Sequence, residues 1–133
     1  ALIKALVTRI CEGWRADYLE AIGKTAPGPW RVPRGLMSMC IATPEAWTDT
    51  LRSSSVVLVA VLANNPQLVK PLRDVYRGLF ELLDHDDTPR GVGELVILAL
   101  KGLWFEWIFG LQDMSPKRLA GTGVLRQRRA FGA

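Results

Sequence analysis

The chain predicts an all-α fold, an antiparallel bundle of five to six helices, and three features of its 133 residues carry that expectation. Apolar side chains recur at three- and four-residue spacing through successive segments, the mark of helices with one buried face. The breaks between segments are short and built from Pro, Gly, Asn and Asp, as turns between packed helices are. The β-branched run Val56, Val57, Val59 and Val61 has helical flanks and no second strand to pair with. With 49% hydrophobic and 23% charged residues, the chain can bury a core without disulfides or metals, so one domain over residues 1–133 is expected.

Residues 2–23 read as the first helix. Leu2, Leu6, Ile10 and Trp14 form one stripe, and Ile3, Val7, Trp14, Tyr18 and Ile22 another. Gly23 and then Pro27-Gly28-Pro29 end it, and residues 26–33, with three of the eight prolines, read as a loop. Residues 35–42, GLMSMCIA, make about two helical turns. Thr43 as N-cap and Pro44 at the first helical position then open a helix over 46–63. Asn64-Asn65-Pro66 ends that helix and starts the next, with Asn65 as cap. Pro71 lacks an N–H for the ladder, so the first turns there loosen or bend before the helix reaches Leu83. Asp87 or Thr88 caps a further helix with Pro89 just inside it. A short, glycine-interrupted helix from Lys117 is the least regular element.

The longest apolar stretch, residues 92–114, is closed by Ser115-Pro116 and carries two faces that both want burial. Val96, Ile97, Leu100, Leu103, Trp104, Trp107 and Leu111 share a broad core arc. Leu95, Ala99, Gly102 and Gly110 lie with Glu106 on a second arc, whose small residues let a neighbouring backbone come close. A small domain has one core, so the second face is expected against another copy of the chain. The expected interface is Leu72, Val75, Leu79, Leu95, Ala99, Gly102, Glu106 and Phe109. Glu94, Lys101 and Glu106 argue against a membrane span, because each costs about 2–3 kcal/mol or more at bilayer depth.

The net charge of +4 is concentrated at one end. Lys117, Arg118, Arg126, Arg128 and Arg129 supply five positive charges, leaving the rest near neutral. No stacking aromatics or groove-reading motif accompany that tail, so it reads as a solvated terminus. Cys11 and Cys40 fit neither a CxxC pair nor a metal spacing, and a reduced, cytoplasmic protein is expected. Residues 1–10 are apolar but lack the basic start of a signal peptide. They begin already in helical register, without Met or a capping residue, so further residues are expected ahead of them.

Chemistry-bearing constellations are few. Asp84-His85-Asp86-Asp87 resembles a hard-metal cluster, but its intervals do not match a calcium loop, and capping and turn roles suit it better. His85 is the only histidine, no phosphate loop is present, and Ser53-Ser54-Ser55 has no base nearby in sequence. Neither catalysis nor a metal or cofactor is expected. What remains is a binding module in which helices rich in Trp, Tyr, Met and Cys enclose an apolar pocket. Helical spacing nominates Trp14, Tyr18, Met37, Cys40, Ile41, Trp47, Leu51, Ser55 and Leu58 for its wall.

The run NNPQLVKPLRDVYRGLFELL, residues 64–83, followed by ELVILALKGLWFEWIFGLQDMSPKRL, residues 94–119, resembles the C-terminal effector-binding domain of tetracycline-repressor (TetR) family regulators. The opening ALIKALV is similar to the helix that follows the helix-turn-helix head in that family. Gly102-Leu103-Trp104 and Gly110-Leu111 are the more specific part of the likeness. The resemblance implies a bacterial homodimer joined through its last two long helices, about 66–83 and 92–110, in a four-helix bundle, a small-molecule effector held in each subunit in a cavity walled by the first three elements, and DNA contact only through an N-terminal domain not among these residues. An alternative reading is a helical protein-interaction module with no small-molecule ligand.

Overall fold

The computed structural model describes residues 1–41 and 47–111 as helices joined by short turns. Among the described residues five α-helices run in order: α1 (Leu2–Lys24), α2 (Arg31–Cys40), α3 (Asp49–Asn64), α4 (Lys70–Asp84) and α5 (Val92–Ile108). A 3-10 helix, Pro66–Val69, leads into α4. The fold is all-α, as the periodicity predicts. Among the described residues no helix is long and apolar enough to cross a membrane. The expected Thr43-Pro44 helix start, the Ser115-Pro116 stop, the helix from Lys117 and the basic tail lie outside the described residues.

α1 follows the expected span closely and buries Val7, Cys11 and Tyr18. Gly23 lies within it; the helix closes at Thr25, whose hydroxyl donates to Ala21 O at 2.7 Å. Arg31 then reaches back, with Nε donating to Thr25 O at 2.9 Å and Nη2 to Gly23 O at 3.1 Å. A guanidinium on the orphan carbonyls of a helix end is favourable both as hydrogen bonding and against the helix dipole.

The expected loop over 26–33 is shorter than the proline content suggests, because α2 already starts at Arg31. Pro33 fits its first turn, where no N–H partner is needed. Trp30, ahead of it, takes the left-handed conformation, φ 59°. The acidic turn after α4 explains how that start is held. Asp87 Oδ1 accepts the backbone N–H of Trp30 at 2.8 Å, and Asp86 Oδ2 accepts that of Val32 at 3.3 Å. Thr88 Oγ1 also donates to Asp86 Oδ2. Asp86 and Asp87, with Thr88 behind them, therefore cap α2 from across the fold, and α5 starts instead from Gly91, at φ 86°.

α3 opens at Asp49, three residues later than expected, because Thr48 is the cap: its hydroxyl oxygen accepts Leu51 N–H at 3.1 Å. The valine run stays helical. Asn65 takes the expected N-cap position ahead of Pro66, but its side chain turns backward, Nδ2 donating to Val61 O at 2.9 Å, so it closes α3 and makes no side-chain cap on the next helix. The disturbance expected from Pro71 appears as the change from 3-10 to α geometry at Lys70.

α5 is shorter than the expected 92–114. Gly110 adopts φ 64°, its N–H donates to Trp107 O at 3.1 Å, and Leu111 N–H donates to Glu106 O at 2.9 Å. These are the two bonds of a Schellman stop. Gly110 is thus a helix terminator.

The core runs through the centre of the bundle from Val7, Cys11 and Tyr18 to Leu36, Leu58, Val75, Leu79, Ile97 and Leu100. α1 and α2 pack closely at Gly35, where an added methyl group would lie 2.9 Å from Ile22 Cα.

Candidate functional site

A cavity of about 270 Å³ opens between the helices. α1 contributes Trp14, Asp17 and Tyr18, and α2 contributes Leu36, Met39 and Cys40. Trp47 and Leu51 close the side toward α3, while α4 supplies Val75, Tyr76 and Leu79. Ile97, Leu100, Lys101 and Trp104 come from α5. The wall is overwhelmingly apolar, which is the usual make-up of a small-molecule site.

Aromatic contacts fix the shape of this wall. Trp14 and Trp104 meet edge to face with ring centres 5.8 Å apart, joining α1 to α5. Trp47 packs the same way on Trp107 at 4.8 Å, and its Nε1 donates to Cys40 O at 2.7 Å. Tyr18 donates its hydroxyl to Val75 O at 3.3 Å, tying α1 to α4. Edge-to-face pairs of this kind are worth about 0.5–1.5 kcal/mol each beyond the area they bury.

The electrostatics are sparse and specific. Lys101 Nζ lies 3.8 Å from the centre of the Tyr76 ring, a cation–π contact, and burial pulls its pKa down. Burial also raises the Tyr76 phenol, with the Cys40 and Cys11 thiols adding to the rise. The Cys40 thiol is pushed up to about 11 by burial, so it is neutral at physiological pH. Among the described residues no three His, Cys, Asp or Glu side chains converge as metal ligands do.

Of the nine pocket residues expected from spacing, Trp14, Tyr18, Cys40, Trp47 and Leu51 meet on this cavity. Met37, Ile41, Ser55 and Leu58 do not; they are buried in the packed interior. For α2 the reason is helix phase. Leu36, Met39 and Cys40 share the cavity stripe, whereas Met37 and Ile41, one turn apart, share the next. Leu58, two turns beyond Leu51, is buried in the core and does not line the cavity.

The expected interface residues divide as well. Leu95, Gly102 and Phe109 are exposed on the outer side of α5, with Ala99 and Glu106 partly buried beside them. Val75 and Leu79 are only 7% and 5% exposed and face inward onto the cavity; Leu72 packs partly against the core. An amphipathic arc shows that a face is buried without showing which neighbour buries it, and here the neighbours are α1 and α5 of the same subunit.

The wall is not confined to the first three elements, contrary to what the family resemblance implies: α4 and α5 supply nearly half of it, a side that spacing alone does not nominate. A signal for it existed in Lys101, a charge set between Leu100 and Trp104 in an otherwise apolar helix. A family model described as "Tetracyclin repressor-like, C-terminal domain" matches residues 30–122, which take in α2 to α5 and most of this wall. No curated protein and no solved structure matches the chain. With the family model covering well over half of its length, the chain belongs to the tetracyclin repressor-like C-terminal domain family.

Proposed function

We propose that this regulatory domain takes a small apolar or aromatic effector into the cavity, pairs with a second copy through the outer face of α5, and so controls DNA binding by an N-terminal head. The observation that carries the reading is the 270 Å³ apolar cavity walled by all five helices. A protein-interaction module without a ligand would have that space filled by side chains, since ordinary interiors leave few voids larger than a water molecule.

The outer face of α5 supports self-association. Leu95, Leu98, Phe105 and Phe109 are 66%, 58%, 44% and 56% exposed, with Gly102 among them. The spacing 95, 98, 102, 105, 109 alternates three and four residues, the pattern of a helix–helix seam. The same helix places Lys101 and Trp104 on the cavity. A ligand that fits one setting of α5 better than another would therefore bias the seam between subunits and, through it, the separation of the DNA-binding heads.

Native mass spectrometry of the chain, alone and with a panel of aromatic small molecules, tests this. A dimer holding one molecule per subunit is the expected species. A monomer that takes up nothing would overturn both halves of the proposal.

A further inference from the structure

Among the described residues, the one cation on the cavity wall has no acid beside it. Lys101 rests against the Tyr76 ring at 3.8 Å. The ion pairs among the described residues are Lys24 with Glu20, Arg52 with Asp49, and Asp74 with Lys70 and Arg77; none involves Lys101. Asp17, the other charged residue of the wall, is exposed and forms no ion pair with it. The remaining polar groups of the wall carry no charge at neutral pH: the Tyr18 hydroxyl and Trp47 Nε1 donate to backbone carbonyls, burial keeps the Cys40 thiol and the Tyr76 phenol protonated, and the indole N–H groups of Trp14 and Trp104 are neutral donors.

A partly desolvated ammonium in an apolar surround gains most from an anion that arrives with its own apolar body. The surround is aromatic: Tyr76 lies against the lysine, and Trp14 and Trp104, edge to face with each other, line the same cavity from α1 and α5. Size narrows the body. An apolar cavity of about 150 Å³ accommodates benzene, and this one is 270 Å³, room for two fused rings and a small headgroup.

Resting on the effector-pocket reading, we propose that the ligand is a planar two-ring aromatic acid, its carboxylate paired with Lys101 and its rings lying among Trp14, Tyr76 and Trp104. Paired in this way, Lys101 selects acids over neutral arenes of the same shape.

The test compares three probes of one shape, 1-naphthoate, 1-naphthamide and 1-naphthylmethylammonium, binding to the 133-residue chain near pH 7, read by calorimetry and tryptophan quenching. Naphthoate is expected to bind at least about 10-fold tighter than naphthamide, as a charge-assisted contact implies. In Lys101→Met that preference should collapse to within about 2-fold while naphthamide affinity holds. Lys101→Arg, which keeps the charge, should retain most of the preference and serves if the Met variant does not fold. Equal binding of acid and amide in the wild type overturns the acid proposal and leaves the effector pocket standing. Preference for the ammonium probe overturns it in favour of Asp17 and the aromatic faces. Binding of none of the three removes the pocket reading itself.

Discussion

Asp87 Oδ1 accepts the backbone N–H of Trp30 at 2.8 Å across 57 residues of chain. With Asp86 on Val32 N–H, it makes the acidic turn after α4 the cap of α2. A side-chain cap contributes about 1 kcal/mol. Asp87→Ala should therefore lower stability by about that much, a fall of a few degrees in Tm, with helix content unchanged. Urea unfolding of the variant decides it: an unaltered midpoint would mean that the contact adds nothing and that α2 is held by burial alone.

The Cys40 thiol gives the domain an alkaline limit. Unfolding returns the thiol from about 11 to its ordinary value of 9.0, so between those pH values the unfolded chain has lost a proton that the folded chain keeps. The stabilisation is complete below pH 9 and declines as pH rises toward 11. Two units correspond to ~3 kcal/mol at most. Cys11, Tyr18 and Tyr76, all raised first by burial, pull in the same direction. Urea midpoints at about pH 8 and about pH 10.5 should differ less in Cys40→Ala than in the wild type, and equal differences would assign the alkaline loss elsewhere.

Local pattern made most of the fold legible. α1 lies within a residue of its expected span, and Val56 to Val61 stay helical because no strand partner exists among the described residues. Long-range dependence was beyond the pattern. The start of α2 depends on carboxylates more than fifty residues away, and the end of α5 on a backbone motif at Gly110 that leaves the apolar repeat unbroken through Leu111. The site divides on the same principle. Trp14, Tyr18 and Cys40 follow from their own helices, whereas Val75 and Leu79 point to the cavity only once α1 and α5 are known to flank α4.

Ser55 illustrates a polar residue that spacing mistakes for a ligand contact. It is 2% exposed, and its Oγ has no hydrogen-bond partner among the described residues. An orphan buried hydroxyl costs about 1–3 kcal/mol of desolvation, and Ala is also the better helix former. Ser55→Ala should leave stability unchanged or raise it by about 1 kcal/mol, with no effect on probe binding. A loss of stability on urea unfolding would show that the hydroxyl is satisfied in solution.

Two glycines separate the subunit from its assembly. At Gly35 a methyl group would press on the backbone of α1, 2.9 Å from Ile22 Cα, so Gly35→Ala should destabilise the fold by about 1–3 kcal/mol. At Gly102 nothing lies within 4 Å of an added Cβ, because this residue faces outward in the Leu95 to Phe109 stripe. Gly102→Leu has room within the subunit and removes a helix-weakening glycine, so its own fold should hold or gain by about 1 kcal/mol. In a dimer packed along this seam, the leucine would push the two α5 backbones apart. Sedimentation velocity is expected to show a weaker dimer with undiminished helix content. A dimer of wild-type strength would move the interface off this face of α5, while leaving the cavity on its other face untouched.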